Sequence, residues 1–183
     1  MIRKTSTLLL STMLLMLSSM GLLAATSTAP KEGDKAMTFN AGFARAFDNH
    51  FDDVQPLFTG SFEYYTSSRV SWRGQLGVTS FDADLPGNAS VDTTFLNGNV
   101  LYNWEGGQVH PYVTGGVGVY RKNASSSLPS KFDETVVGVN GGGGIDWFLG
   151  SRWALEFEGT FHGLAGENPN TLFFGTAGVK FWF

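Results

Sequence analysis

The chain has 183 residues, a length that suits one domain, and it contains no cysteine, which excludes disulfide scaffolds and cysteine-based zinc sites. Charged residues make up only 15% of the chain, whereas glycine occurs 24 times and phenylalanine 16 times, an unusual balance for a water-soluble domain. Twelve basic and sixteen acidic residues give a formal charge of −4, which argues against nucleic acid as a partner.

The first 25 residues have the pattern of a secretory signal peptide. Arg3 and Lys4 form a basic start, an uncharged apolar run covers 8–23, and small residues follow in AATSTA. The apolar run is short for a membrane span, although a retained signal anchor is the alternative interpretation. Cleavage after Ala25 removes two basic residues and no acidic one, so the mature charge becomes −6. We predict a signal peptide over 1–25 and a short polar linker over 26–35.

From residue 36 onward, the chain repeats segments of about ten residues in which apolar residues alternate with small or polar ones. Long polar loops follow the first, third, fifth and seventh segments, and tighter turns follow the second, fourth and sixth. The pattern predicts eight strands, over 36–47, 56–66, 70–81, 93–104, 109–121, 135–149, 152–162 and 171–183.

The alternation sorts the residues of each strand onto two faces. In the seventh segment, Trp153, Leu155 and Phe157 share one face, and Glu156 and Glu158 share the other. Three further segments are sorted in the same way: Phe58, Phe62 and Tyr64 against Thr59, Ser61 and Glu63; Trp72, Leu76 and Val78 against Arg73, Gln75 and Thr79; Leu96, Val100, Tyr102 and Trp104 against Asn97, Asn99 and Asn103. A lipid-facing exterior around a polar interior produces this pattern, and so does a water-soluble β-sandwich.

Three features favour the membrane alternative over a soluble sandwich or a soluble periplasmic barrel: the signal peptide, the long loops confined to one side, and aromatic residues near strand ends. These aromatic residues are Tyr64, Trp72, Tyr102, Trp104, Trp147, Trp153 and Trp182, although the parity of the last strand turns Trp182 inward. Backbone groups in lipid must pair internally, which requires closure where no apolar helix is present. We therefore predict an all-β fold, an eight-stranded antiparallel up-and-down transmembrane β-barrel over 36–183.

Strand parity places charged side chains inside this predicted barrel. They are Glu63, Arg73, Asp146, Glu156, Glu158 and Lys180. Charges in a dry space must pair, so we predict an interior polar network that closes the lumen. A proton or ion path is the alternative, and it needs a water channel that eight strands rarely leave. Inward glycines are expected to make room for larger neighbours: Gly77, Gly116, Gly118, Gly138, Gly142, Gly144 and Gly178.

Three stretches, HPYVTGGVGVYR, RWALEFEGTF and GTAGVKFWF, resemble the small eight-stranded outer-membrane β-barrels of Gram-negative bacteria, the porin-like or opacity-type domain that includes the transmembrane part of outer-membrane protein A. The resemblance covers 36–183 and implies a bacterial outer-membrane location with both chain ends in the periplasm. The last stretch is the most specific. Its terminal aromatic residue, with apolar residues at alternate positions before it, resembles the signal read by the barrel-assembly machinery, and Phe183, Phe181 and Val179 carry that pattern here.

The resemblance also implies the partners and the kind of function. We expect a monomer without a cofactor that contacts outer-membrane lipid and lipopolysaccharide, and the barrel-assembly machinery during insertion. We expect its role to be non-catalytic: a contribution to envelope integrity, with surface loops presented for interaction or adhesion to a ligand that the sequence does not identify. A narrow porin or small-solute channel is the alternative function.

The sequence offers little support for a catalytic or metal site. Some barrels of this kind are lipid A deacylases or acyltransferases. The deacylases carry a serine two residues after their histidine, and the residue two positions after His162 is Leu164 here. The glycine run GVNGGGGIDWF lacks the Gly-Lys-Ser/Thr of a phosphate-binding loop and is interpreted as a bent strand. Asp48, His50, Asp52 and Asp53 could attract a divalent cation, but we interpret them as a solvated acidic loop.

Overall fold

The computed structural model describes residues 30–47, 54–82, 90–105, 107–124, 134–165 and 171–183. The predicted signal peptide, the acidic group from Asp48 to Asp53 and the central parts of the other three long loops lie outside these ranges. No helix in the described part of the chain has the length and apolar character that crossing a bilayer requires.

The described chain forms eight β-strands. They are β1 (Lys35–Ala46), β2 (Val54–Tyr65), β3 (Val70–Asp82), β4 (Ser90–Asn103), β5 (Val109–Ala124), β6 (Glu134–Phe148), β7 (Trp153–Leu164) and β8 (Thr171–Trp182). Each strand pairs antiparallel with the next, and β1 also pairs with β8, so the sheet closes into a barrel. The prediction of an eight-stranded antiparallel up-and-down barrel is confirmed.

The register around the barrel is staggered. Cross-strand partners can be followed from Ala36 through Glu63, Arg73, Asn99, Gly116, Asn140, His162 and Leu172, and they return to β1 at Ala46 instead of Ala36. A stagger of this kind requires strands tilted by about 40° to the barrel axis. Closure of the barrel brings strands that are not neighbours in the sheet face to face, and the stagger decides which of their side chains lie at the same level.

Side chains alternate between the exterior and the lumen as predicted. Tyr64, Trp72, Tyr102, Trp104, Trp147 and Trp153 all lie on the exterior, with exposed fractions of 38–59%. They lie at the barrel end that carries the short turns and both ends of the described chain, which we call the short-turn end; the opposite end is the long-loop end. Trp182, the seventh aromatic residue, points into the lumen and stacks on Phe148, so it is not part of the exposed girdle.

The strands reach further toward the long-loop end than predicted. β2 begins at Val54, β4 begins at Ser90, β5 ends at Ala124 and β7 ends at Leu164, where the sequence predicted 56, 93, 121 and 162. The polar residues there suggested loops, but cross-strand pairing continues through them. At the other end, β1 begins at Lys35, which the sequence assigned to the linker.

Candidate functional site

The lumen is filled by side chains at three levels. At the short-turn end lies an apolar group, the short-turn cluster, made up of Ala36, Tyr65, Phe148, Ala154 and Trp182. At the long-loop end lies a second apolar group, the long-loop cluster, made up of Ala44, Ala46, Leu57, Val91, Phe95, Tyr120, Val136, Leu164, Leu172 and Phe174. Between them lie the six charged residues that the sequence placed inside, which we call the charged cluster: Glu63, Arg73, Asp146, Glu156, Glu158 and Lys180.

Arg73 of β3 contacts three carboxyl groups. Its guanidinium lies 3.0 Å from Glu63 on the neighbouring strand β2, 2.8 Å from Glu156 and 2.5 Å from Glu158. Glu156 and Glu158 belong to β7, on the far side of the lumen. A buried guanidinium with its planar set of donors is suited to several carboxylates at once, so one side chain joins opposite walls of the barrel.

Lys180 of β8 is the second cation of the cluster. Its Nζ lies 2.7 Å from Asp146, 2.7 Å from Glu156 and 3.3 Å from Glu63. Glu63 and Glu156 therefore contact both cations, which makes the six residues one connected network. All six side chains belong to residues that are at most 7% exposed, so the network closes this level of the lumen.

Neutral side chains that sequence reasoning did not assign to a site complete the network. Ser71 Oγ donates to Glu63 at 2.6 Å, Asn40 Nδ2 donates to Glu156 at 2.9 Å, and the Tyr112 hydroxyl donates to Glu158 at 2.8 Å. The Tyr112 ring also lies 5.2 Å from the Arg73 guanidinium carbon and 5.4 Å from Lys180 Nζ, a favourable position for a cation. Strand parity marks all three as inward, which was the available signal.

The inward glycines are required by close neighbours, as the sequence suggested. A Cβ at Gly77 would meet the Phe95 ring, and one at Gly144 would meet the Tyr112 ring. The other type of neighbour is an asparagine amide: the Asn99, Asn97 and Asn40 amide oxygens lie against Gly116, Gly118 and Gly178, their direct cross-strand partners. These five glycines thus provide the volume that a ring or an amide fills, whereas a Cβ at Gly142 would meet the carbonyl oxygen of Gly159 and Thr160.

A second polar site lies next to the long-loop cluster and is centred on His162. The Tyr120 hydroxyl lies 2.6 Å from its Nδ1, and Thr160 Oγ1 lies 2.9 Å from its Nε2. Its ring packs against Phe174 and Phe95, with centroids 4.1 and 6.0 Å apart. His162 is only 1% exposed and points into the lumen. Strand parity placed His162 on the polar face of the seventh segment, and the sequence also raised it as a possible catalytic residue. Its hydroxyl partners, which lie on β5 and on β7 itself, were missed.

The three residues of the predicted assembly signal lie on the exterior at the short-turn end. Phe183 is 56% exposed, and its backbone N–H donates to the carbonyl of Lys35 at 3.0 Å. Phe181 packs against Trp153 with ring centroids 4.6 Å apart, and Val179 is exposed two residues earlier. The last residues therefore continue the seam between β8 and β1, with the side chains of Val179, Phe181 and Phe183 directed outward.

Histidine and acidic residues in the described ranges do not form a group of three or more that could hold a metal ion. The four carboxyl groups of the charged cluster already contact Arg73, Lys180 or neutral hydrogen-bond donors.

Comparison with known proteins agrees with this architecture. The family model described as the outer membrane protein beta-barrel domain matches residues 12–181. No curated protein matches the chain by sequence.

Several solved structures share the fold. Neisserial surface protein A is 15% identical with a TM-score of 0.67 and covers 83% of this chain and 100% of its own. OprG from Pseudomonas aeruginosa is 15% identical with a TM-score of 0.65, and the match covers 84% of this chain and 97% of OprG. Ail, the attachment invasion locus protein of Yersinia pestis, is 10% identical with a TM-score of 0.61, and the match covers 83% of this chain and 99% of Ail. From the family match and the closed barrel, we conclude that this chain belongs to the outer membrane protein beta-barrel domain family and resides in the bacterial outer membrane.

Proposed function

We propose that the protein is a non-catalytic outer-membrane barrel that contributes to envelope integrity and presents its long loops for interaction or adhesion. The observation that carries this proposal is the filled lumen: the charged cluster lies between two apolar clusters, and all three are buried. A barrel filled in this way offers no wide path for solutes. Loops held on a rigid scaffold are then the surfaces best placed for recognition.

The Ail structures support testing an adhesive role, because one of them is described as a complex with the heparin analogue sucrose octasulfate. That description concerns Ail, and a likeness at 13% sequence identity shows only that the two chains share a fold. We propose to compare cells with and without the protein for adhesion to a heparin-coated surface and for sensitivity to detergent. A variant in which SSSLPS (125–130) is replaced by glycine and serine tests the loops.

We expect the full chain to restore detergent resistance to a deletion strain and to increase its adhesion. The loop variant is expected to restore resistance but not adhesion. Equal adhesion with and without the protein contradicts the adhesive role, and unchanged detergent sensitivity contradicts the role in envelope integrity.

A narrow channel is the second candidate, favoured by the polar character of the middle level of the lumen. Planar-bilayer recording of purified protein tests it. Discrete conductance steps that change in an Arg73→Gln variant would support a path through the charged cluster. Their absence would favour the non-conducting role.

A lipid A-modifying activity needs reactive groups that lipid can reach. The outer membrane enzyme PagL has the same type of fold, so the architecture alone does not distinguish a catalytic barrel from a non-catalytic one. Here His162 points into the lumen between Tyr120 and Thr160, and Leu164 also points inward, an arrangement that supports the non-catalytic proposal. Mass spectrometry of lipid A with and without the protein tests it, since an acyl-chain difference would contradict the proposal.

We also propose that Phe183, Phe181 and Val179 form the signal for assembly by the barrel-assembly machinery. All three side chains face the exterior at the end of β8 or directly after it, with Val179 and Phe183 exposed, which supports recognition by a partner at the edge that pairs with β1. Deletion of Phe183 is expected to reduce outer-membrane insertion far more than deletion of Ser126, which lies in the SSSLPS loop outside the described residues. Equal insertion of both variants, measured by a heat-modifiability gel on outer-membrane fractions, would contradict this role.

A further inference from the structure

The charged cluster contains more acidic than basic groups. Four carboxyl groups face two cations, so the cluster would carry a charge of −2 if every group were ionised. It is enclosed by the barrel wall, by the short-turn cluster at one end and by the long-loop cluster at the other. Uncompensated charge in such an interior is strongly unfavourable, and a carboxyl group avoids the penalty by keeping its proton.

Among the described residues, the neighbours of the cluster include hydroxyls, amides, one histidine and the Trp182 ring, whose centroid lies 5.5 Å from Lys180 Nζ. Tyr112 and Ser71 donate hydrogen bonds to the cluster, and Tyr65 lies in the short-turn cluster. His110 is the cross-strand partner of Asp146, but its Nε2 lies 3.1 Å from the carbonyl oxygen of Gly107 and its ring packs on Phe148. In the described part of the chain, the cations in contact with the four carboxyl groups are Arg73 and Lys180.

Geometry divides the four carboxyl groups into two pairs. Glu63 and Glu156 each contact both cations, and both oxygens of each accept hydrogen bonds: Glu63 from Ser71 and Arg73, Glu156 from Asn40 and Arg73. These two groups have the surroundings of carboxylates, which accept hydrogen bonds at both oxygens.

Asp146 and Glu158 form the other pair, since each contacts only one cation. Asp146 Oδ2 accepts from Lys180 at 2.7 Å, whereas its Oδ1 is buried without a hydrogen-bond partner among the described residues. Glu158 accepts from Arg73 and from Tyr112 through the same oxygen, Oε2. Each of these two groups therefore has one oxygen engaged and a second oxygen that can carry a proton.

We propose that the charged cluster is a buried proton-binding site that holds two protons at neutral pH, one on Asp146 and one on Glu158. With both protons bound, the two carboxylates Glu63 and Glu156 balance Arg73 and Lys180, and the cluster is electrically neutral. The bound protons also remove the repulsion between Asp146 and Glu156, which are direct cross-strand partners on β6 and β7. The lumen is then closed by a neutral network.

Infrared spectroscopy of the folded protein in phospholipid vesicles tests this site directly. At neutral pH, the spectrum should contain the carbonyl band of protonated carboxylic acids, shifted on transfer to D₂O. Asp146→Asn and Glu158→Gln should each remove part of that band, and the double variant should remove it. No band in the wild-type protein, or an undiminished band in the double variant, would overturn the proposal.

Two further measurements keep the test decisive. Glu105→Gln removes an exposed carboxyl group that pairs with Arg69 at the short-turn end, and it should leave the band unchanged. If the cluster variants fail to fold, wild-type protein labelled with ¹³C at the aspartate side-chain carboxyl should show a shift in one component of the band. The absence of any shift on aspartate labelling would overturn the assignment to Asp146.

Discussion

The charged cluster and the His162 site are two polar regions of one lumen, and they are stabilised in different ways. In the charged cluster, Arg73 and Lys180 each contact three carboxyl groups, so attraction between charges compensates for burial. At His162, the two ring nitrogens are bonded to Tyr120 and Thr160, and aromatic rings surround the imidazole. The two regions differ in how they satisfy buried polar groups: six charged side chains share ion pairs in the charged cluster, whereas His162 is held by neutral hydrogen bonds and aromatic packing.

Arg73→Ala is expected to have the largest effect, because it leaves Glu63, Glu156 and Glu158 without the guanidinium that joins them. Breaking a buried ion pair costs about 3 to 5 kcal/mol. The thermal midpoint, followed as loss of the fast-migrating folded form on gels, should fall clearly. Arg69→Ala is the matched control: Arg69 lies 3.7 Å from Glu105, and their side chains are 59% and 43% exposed. An exposed pair of this kind contributes about 0 to 1 kcal/mol, so equal midpoints for the two variants would show that the interior cluster is solvated.

Gly178→Ala is expected to have an intermediate effect on the charged cluster. A Cβ at position 178 would collide with the carbonyl oxygen of Phe39 and the amide oxygen of Asn40, and Asn40 Nδ2 donates to Glu156. Overpacking of a filled interior costs about 1 to 3 kcal/mol, which should lower the urea midpoint of unfolding from vesicles. Gly74→Ala is the control, because a Cβ there meets nothing within 4 Å. A midpoint for Gly178→Ala as high as that of the control would mean that the glycine is not needed for packing.

Tyr120→Phe is expected to have the smallest effect and tests the neutral site. The substitution removes the hydroxyl bonded to His162 Nδ1, and a neutral hydrogen bond of this kind contributes about 0.5 to 1.5 kcal/mol. The imidazole resonances of His162 should shift in NMR spectra of the folded protein. Tyr102→Phe removes a hydroxyl from the exposed girdle and should leave both the unfolding midpoint and these resonances unchanged. A Tyr120→Phe protein that behaves like Tyr102→Phe would indicate that aromatic packing alone holds His162.

The strands, their antiparallel order and their two faces could be predicted because a period of two is written directly in the sequence. Glu63, Arg73 and Lys180 were placed inside by parity alone, and the structure locates them there. The strand ends near the long loops were predicted too short, since residues such as Lys122 and Glu134 resemble loop residues. Lys122 Nζ lies 2.8 Å from Glu134 Oε1 in a cross-strand ion pair. Such a pair depends on two strands, so the pattern of one segment does not reveal it.

By itself, the sequence determined which side chains face lipid and which face the lumen, because each strand carries that information in its own alternation. It did not determine which interior residues touch. Contacts between Arg73 and Glu158 cross the lumen from β3 to β7, and the meeting of Tyr120 with His162 depends on the stagger across β5, β6 and β7. Only closure of the tilted barrel fixes these distances, because the stagger accumulates over all eight strands before β8 meets β1.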